Sequence, residues 1–120
     1  MKKEAEAWMR RARRDMMISR YNFRGKIYDA AAFYAQQATE KALKALSIET
    51  NGTFRRSHDL VELASEVEAP TDVLRLCAVV SPAYPGTRYP DMPELGTRED
   101  VRDVVTASRE VMKWVRSRLR

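Results

Sequence analysis

The only histidine in this 120-residue sequence, His58, closely follows two adjacent arginines, Arg55 and Arg56. Imidazole serves as a general acid or base near neutral pH, and guanidinium groups stabilise phosphate charge. These three residues are therefore predicted catalytic candidates for chemistry on a phosphate group. In the alternative, structural interpretation, His58 donates a hydrogen bond to a carbonyl group and holds its loop against the rest of the protein.

A second group, Arg88-Tyr89-Pro90-Asp91, lies in a loop that is rich in proline. Arginine and tyrosine on a stiffened loop suit recognition of a phosphate or a stacked base. We therefore expect Arg88, Tyr89 and Asp91 to bind a ligand. The alternative is a surface loop held by tyrosine packing and by a contact between Arg88 and Asp91.

The third group is a row of polar side chains within a predicted helix: Gln37, Glu40, Lys41 and Lys44. Polar groups on a packed helix must face water or find partners. The row is predicted to meet the proline-rich loop and to contribute to ligand binding.

Several kinds of chemistry are excluded. A chain with one cysteine and one histidine cannot supply an ordinary zinc site, and the sequence contains no glycine-rich phosphate loop and no nucleophile elbow. A Cys77–His58 pair would be a nucleophilic arrangement, but Cys77 falls on an apolar helix face, which indicates a buried structural thiol. No metal and no cofactor is predicted.

Composition indicates one helical domain over residues 1–120, with 44% hydrophobic and 32% charged residues. The N-terminal segment lacks an apolar secretory region, no stretch is long enough to span a membrane, and the single cysteine suits the cytoplasm. The net charge of +5 is concentrated in residues 1–26, which carry nine basic and three acidic side chains. Such a basic strip could face RNA, nucleotide phosphates or an acidic partner, or could simply be solvated.

The segment 33–48, FYAQQATEKALKALSI, must position these groups. It is rich in strong helix formers and contains four alanines but no glycine or proline, which predicts a helix from about Ile27 to Ile48, stopped by Asn51-Gly52. Alanine along one side allows another helix to approach closely, so this helix is predicted to be the centre of a bundle.

Apolar spacing predicts four further helices and no strand. The first covers residues 3–20, with a break from Asn22 to Gly25. A short helix capped by Ser57 ends before Pro70, and the next continues from there to before Pro82. After a long loop, Thr97 caps a last helix that extends to Leu119. The predicted fold is an all-α, antiparallel up-and-down bundle of about five helices.

Three segments in this order closely resemble the HEPN domain family of prokaryotic helical proteins, and the resemblance covers nearly the whole chain. They are AFYAQQATEKALKAL at 32–46, SHDL at 57–60 and RYPD at 88–91. The resemblance implies a five-helix bundle, a homodimer, and pairing with a small nucleotidyltransferase, often as a toxin–antitoxin couple. Many members of the family are metal-independent RNases whose signature is an arginine, four to six residues, and then a histidine.

This chain departs from that signature, because the corresponding positions before His58 are Asn51, Gly52 and Thr53. Two hypotheses follow. In the first, the protein is a nucleotide-binding and interaction subunit that pairs with a nucleotidyltransferase. In the second, it is a metal-independent endoribonuclease toxin that uses His58 with nearby arginines.

A homodimer is expected to use one of two faces. The first is the predicted first helix, with Trp8 and Met9 exposed, together with the 82–96 loop. The second is the alanine side of the predicted second helix.

Overall fold

Residues 1–84 and 97–119 are described by a computed structural model of the chain, and they form five α-helices. These are α1 (Lys3–Arg24), α2 (Tyr28–Asn51), α3 (Leu60–Glu66), α4 (Thr71–Val80) and α5 (Arg98–Arg118), with a 3-10 turn over Ser81–Ala83 after α4. Within the described ranges there is no strand. The predicted all-α bundle is confirmed.

The second helix is the centre of the bundle, as its alanine content predicts. It contacts α1, α3, α4 and α5. Six of its seven alanines, all except Ala30, are at most 3% exposed: Ala31, Ala32, Ala35, Ala38, Ala42 and Ala45. Because this alanine side is already covered within the chain, it cannot also be the dimer face that the sequence suggested.

Hydroxyl groups join α2 to its neighbours where the backbones approach. Ser19 of α1 donates to the carbonyl oxygen of Ala31 at 2.6 Å. Ser108 of α5 donates to the carbonyl oxygen of Ala35 at 2.8 Å, and its Oγ lies 2.6 Å from Oγ1 of Thr39. Small side chains thus permit both close packing and hydrogen bonding between helices.

The first helix is longer than predicted. It continues to Arg24 and does not end at Arg20. Asn22, where a break was expected, donates its side-chain amide to the backbone carbonyl oxygen four residues earlier at 2.8 Å and so fits within the helical turn. The turn that follows places Lys26, not Gly25, in the left-handed region, with φ of 63°.

The short third helix begins later than predicted. Asp59, not Ser57, is its N-cap, because the Asp59 carboxylate accepts from the backbone N–H groups of Val61 and Glu62. Ser57 supports this cap by accepting from the backbone N–H of Asp59 at 3.0 Å. His58 therefore precedes the helix and does not open it.

Two predicted boundary signals are confirmed. Gly52 follows α2 with φ of 80°, a conformation that favours glycine, and its N–H donates to the carbonyl oxygen of Ile48. Thr97 caps α5 by accepting from the backbone N–H of Asp100 at 3.1 Å.

The first helix packs more deeply than the dimer prediction assumed. Met9 is only 2% exposed, and Trp8 is partly buried with its ring edge-on to Phe54 at 5.1 Å. Neither residue is therefore an exposed apolar group. None of the described helices combines the length and the apolar character needed to cross a membrane.

Candidate functional site

The His58 side chain is anchored to α2. Its Nδ1 lies 3.0 Å from Oε1 of Glu40, and its ring stacks on Tyr84 with centroids 4.1 Å apart and planes inclined by 13°. The backbone carbonyl oxygen of His58 also accepts from Nε2 of Gln36 at 3.3 Å. The side chain nevertheless remains 53% exposed. The ring is thus held in one orientation while part of it stays accessible.

Glu40 is the buried centre of this arrangement. Its carboxylate accepts from Nζ of Lys44 at 2.9 Å and from Nε2 of Gln36 at 3.2 Å, in addition to its contact with His58. Burial alone would raise the pKa of Glu40, but the hydrogen bonds from Lys44, His58 and Gln36 outweigh it, so the pKa is lowered. Glu40 is therefore an anion at neutral pH.

Lys44 is buried as well, at 7% exposure. Besides its ion pair with Glu40, its ammonium group lies 5.7 Å from the ring centroid of Trp8 and 5.3 Å from that of Phe54. Aromatic faces attract a cation, so these rings and the carboxylate together offset the loss of water around Lys44.

The other two members of the polar row also have partners inside the chain. Lys41 forms an ion pair with Asp15 of α1, and Gln37 donates to Oε1 of Gln36 at 2.8 Å. Gln37, Glu40 and Lys44 thus belong to a hydrogen-bonded network with Gln36 that supports His58, whereas Lys41 links α2 to α1. The role of the polar row in ligand contact stays a prediction.

The two predicted arginines differ. Arg55 forms ion pairs with Glu66, at 2.9 Å, and with Glu62. The hydrogen bond to Glu66, followed by the charge of Glu62, raises the pKa of Arg55. Arg56 is exposed and forms no ion pair with the described residues. Arg56 is consequently the nearby cation that is available to a ligand.

The remaining predicted ligand residues, Arg88, Tyr89 and Asp91, lie outside the described residues. Tyr84, which stacks on His58, is the last residue described before that segment. The contact between the proline-rich loop and the polar row therefore stays a prediction.

Cys77 is fully buried, as its position on an apolar face predicted. Burial, with a smaller contribution from the charge of Asp59, raises the pKa of its thiol to about 12. A thiol of this kind is not an active nucleophile. In the part of the chain that is described, no three His, Cys, Asp or Glu side chains group as they would around a metal ion.

Sequence reasoning missed Gln36 and the contact between His58 and Glu40. The available signal was spacing, since Gln36, Glu40 and Lys44 follow one another at four-residue intervals on one helix face. That spacing predicts mutual hydrogen bonding, but it does not reveal which loop lies over the face.

Comparison with known proteins agrees with this fold. A model of the HEPN domain matches residues 5–118. The chain is similar to the crystal structure of TT1696 from Thermus thermophilus, with a TM-score of 0.86 and 26% identity, covering 98% of this chain and 99% of that one. It is also similar to ST0689, described as an archaeal HEPN homologue, with a TM-score of 0.83 and 29% identity over 100% of both chains. No curated protein matches it. With the family model covering almost all of its length, this chain belongs to the HEPN domain family.

Proposed function

We propose that this protein is a nucleotide-binding and interaction subunit that pairs with a small nucleotidyltransferase in a toxin–antitoxin-type module. The observation that carries the nucleotide-binding part is the anchored, half-exposed ring of His58 beside Tyr84. Membership of the HEPN family supports the pairing.

In this proposal, His58 contacts a phosphate of the ligand. A carboxylate that contacts one ring nitrogen fixes the orientation of the imidazole and leaves the other ring nitrogen to bind the ligand. Glu40 supplies that carboxylate, and Arg56 supplies a nearby positive charge. Arg88, Tyr89 and Asp91 of the adjoining loop are proposed to complete the site.

The second candidate function is metal-independent RNA cleavage. The pair of Glu40 and His58 favours it, because a carboxylate-oriented histidine is the arrangement of a general base. Two features weigh against it: the signature arginine is absent, and the guanidinium of Arg55 is already paired with glutamates. Arg56 would then have to stabilise the developing phosphate charge.

One experiment separates the two candidates. The purified protein is incubated with total RNA and EDTA, and in parallel its thermal unfolding is followed with added ATP or GTP. The same assays are run on His58→Ala, Arg56→Ala and Arg55→Ala. Because a ligand that binds only the folded state raises the melting temperature, nucleotide binding has a direct readout.

The binding proposal predicts intact RNA and a nucleotide-dependent rise in melting temperature. That rise should be lost in His58→Ala, reduced in Arg56→Ala and kept in Arg55→Ala. RNA cleavage that disappears in His58→Ala would overturn the proposal in favour of the endoribonuclease. A melting temperature that no nucleotide changes would also count against it.

The partner and the dimer need separate tests. If the neighbouring reading frame encodes a small nucleotidyltransferase, its co-expressed product should co-purify with this chain in a stable complex. Light scattering at micromolar concentration should give the mass of a homodimer. A monomer in that measurement would contradict the dimer.

A further inference from the structure

Positively charged side chains from two helices face one another across a groove between α1 and α5. The α1 side carries Arg13, Arg20 and Arg24. The groove consists of adjoining cavities of about 360, 340 and 240 Å³, all lined in part by Arg20. These arginines belong to the basic strip that the sequence placed in the first 26 residues.

The opposite side of the groove is equally basic. It carries Arg102, Arg109, Lys113 and Arg116 of α5. The only acidic residue among the described residues lining these cavities is Glu110. None of the seven cations on the two sides forms an ion pair with a described residue.

The groove is long enough for a short helix. Arg13 and Arg116 line one cavity, and Arg24 and Arg102 line another, so the two helices run antiparallel along it. Arg24 lies eleven positions after Arg13 in α1, which corresponds to roughly 17 Å at a rise of about 1.5 Å per residue. About three turns of a partner helix would fit along this length.

The floor and rim of the groove are apolar. Met16 and Met112 line the floor, and both are buried. Met17, which lines one of the cavities, is 64% exposed, and Tyr21, one turn further along α1 and outside the cavity lining, is 71% exposed. Methionine adapts its shape to varied apolar surfaces, and exposed apolar groups beside a charged row mark an interaction surface.

These features favour a protein partner over a nucleic acid. Six of the seven cations are arginines, and arginine, methionine and tyrosine are enriched at protein interfaces whereas lysine is depleted. Phosphate groups of a nucleic acid would bind the cations without using the apolar floor of the groove. Phe23 is the only aromatic ring among the described residues lining the three cavities, and the guanidinium of Arg98 already lies 5.5 Å from its centroid. A second copy of this face would bring like charges together.

We propose that the α1–α5 groove binds an acidic amphipathic helix of a partner protein. Carboxylates of that helix would pair with the arginines, and its apolar side would cover Met17 and Tyr21. This mode of binding places an amphipathic helix in a groove between two helices. It is independent of the His58 site.

The test uses fluorescence anisotropy with three labelled probes on the full chain. The first is a 14-residue designed peptide with glutamates on one helix face and leucines on the other. The second has the same composition in an order that forms no apolar face. The third is a single-stranded uridine oligonucleotide of equal charge.

We expect the amphipathic peptide to bind about tenfold more tightly than either control probe, which corresponds to about 1.4 kcal/mol. Arg20→Glu should abolish this preference. Arg11→Glu makes the same charge change on the far side of α1, so this variant should keep the preference for the amphipathic peptide. Met17→Ser should weaken binding of the amphipathic peptide but not of the control probes. His58→Ala should bind the amphipathic peptide as tightly as the wild-type protein does.

Equal binding of the ordered and reordered peptides would overturn the proposal. So would tighter binding of the oligonucleotide, or equal losses in Arg20→Glu and Arg11→Glu. Circular dichroism of each variant confirms that it is folded, so that a loss of binding reports on the groove itself.

Discussion

Two charged regions of this molecule are built in opposite ways. Beneath His58, the charges of Glu40 and Lys44 are buried and paired with each other. In the α1–α5 groove, seven cations are grouped without an ion pair to a described residue. A buried charge without a partner is costly, whereas an exposed one is solvated. The first region therefore supports the fold, and the second is available to an external partner.

The largest effect should follow from removing the central carboxylate. Glu40→Ala leaves Lys44 buried without its counter-ion, so the free energy of unfolding should fall by about 3–5 kcal/mol. Urea unfolding measures it. The matched control is Glu110→Ala in the groove, where the exposed carboxylate has no ion pair with a described residue and the change should stay within about 0.5 kcal/mol. Equal losses of stability in Glu40→Ala and Glu110→Ala would contradict the claim that only the region beneath His58 supports the fold.

A smaller loss should follow from removing the buried ammonium group. Lys44→Met keeps much of the aliphatic chain between Trp8 and Phe54 but removes one hydrogen bond to Glu40. We expect the free energy of unfolding to fall by about 1.5–3 kcal/mol. Lys113→Met, in the groove, should leave it nearly unchanged in the same urea experiment. A Lys44→Met protein as stable as the wild type would show that this ion pair contributes little.

The network should also make stability depend on pH. Because the pKa of Glu40 in the folded state lies below its ordinary value of 4.5, its stabilisation is complete above that value. It is lost as the pH falls through the lowered pKa. The difference in unfolding free energy between the wild-type protein and Glu40→Gln should therefore narrow from about pH 6 to about pH 3. A constant difference would contradict the assigned direction of the shift.

The smallest effect should come from the groove. Arg109→Gln removes one of several like charges that have no ion pair within the described ranges, so stability should change by no more than about 0.5 kcal/mol. Any increase in stability should appear at low salt and diminish as added salt screens the repulsion between the cations. Thermal unfolding at two salt concentrations measures it. A large loss would reveal a structural role for Arg109.

Much of the fold was predictable because local patterns agree with the packing. The alanines of α2 predicted close helix packing, and Gly52 predicted the end of that helix. The cap of α3 was not resolved by pattern alone, because Ser57 and Asp59 are both good N-caps. In the structure Asp59 is the N-cap, and Ser57 accepts a hydrogen bond from the backbone N–H of Asp59.

The candidate site was predictable only in part. His58 and Glu40 were each identified, but they are 18 residues apart, and periodicity assigns residues to helix faces without pairing distant segments. The basic side of the groove on α5 was predictable from the sequence, because Arg102, Arg109 and Arg116 recur every seven residues and so share one helix face. Only the packed structure shows that this face of α5 lies opposite the arginines of α1.

The most direct test of the account is an NMR spectrum of the His58 imidazole with and without ATP. Because the chain has a single histidine, its ring signals are unambiguous. We predict that ATP shifts these signals in the wild-type protein and that the shift is much reduced in Glu40→Gln, where the anchoring charge is missing. Ring signals that do not move at saturating ATP would contradict the claim that Glu40 holds His58 for a phosphate ligand.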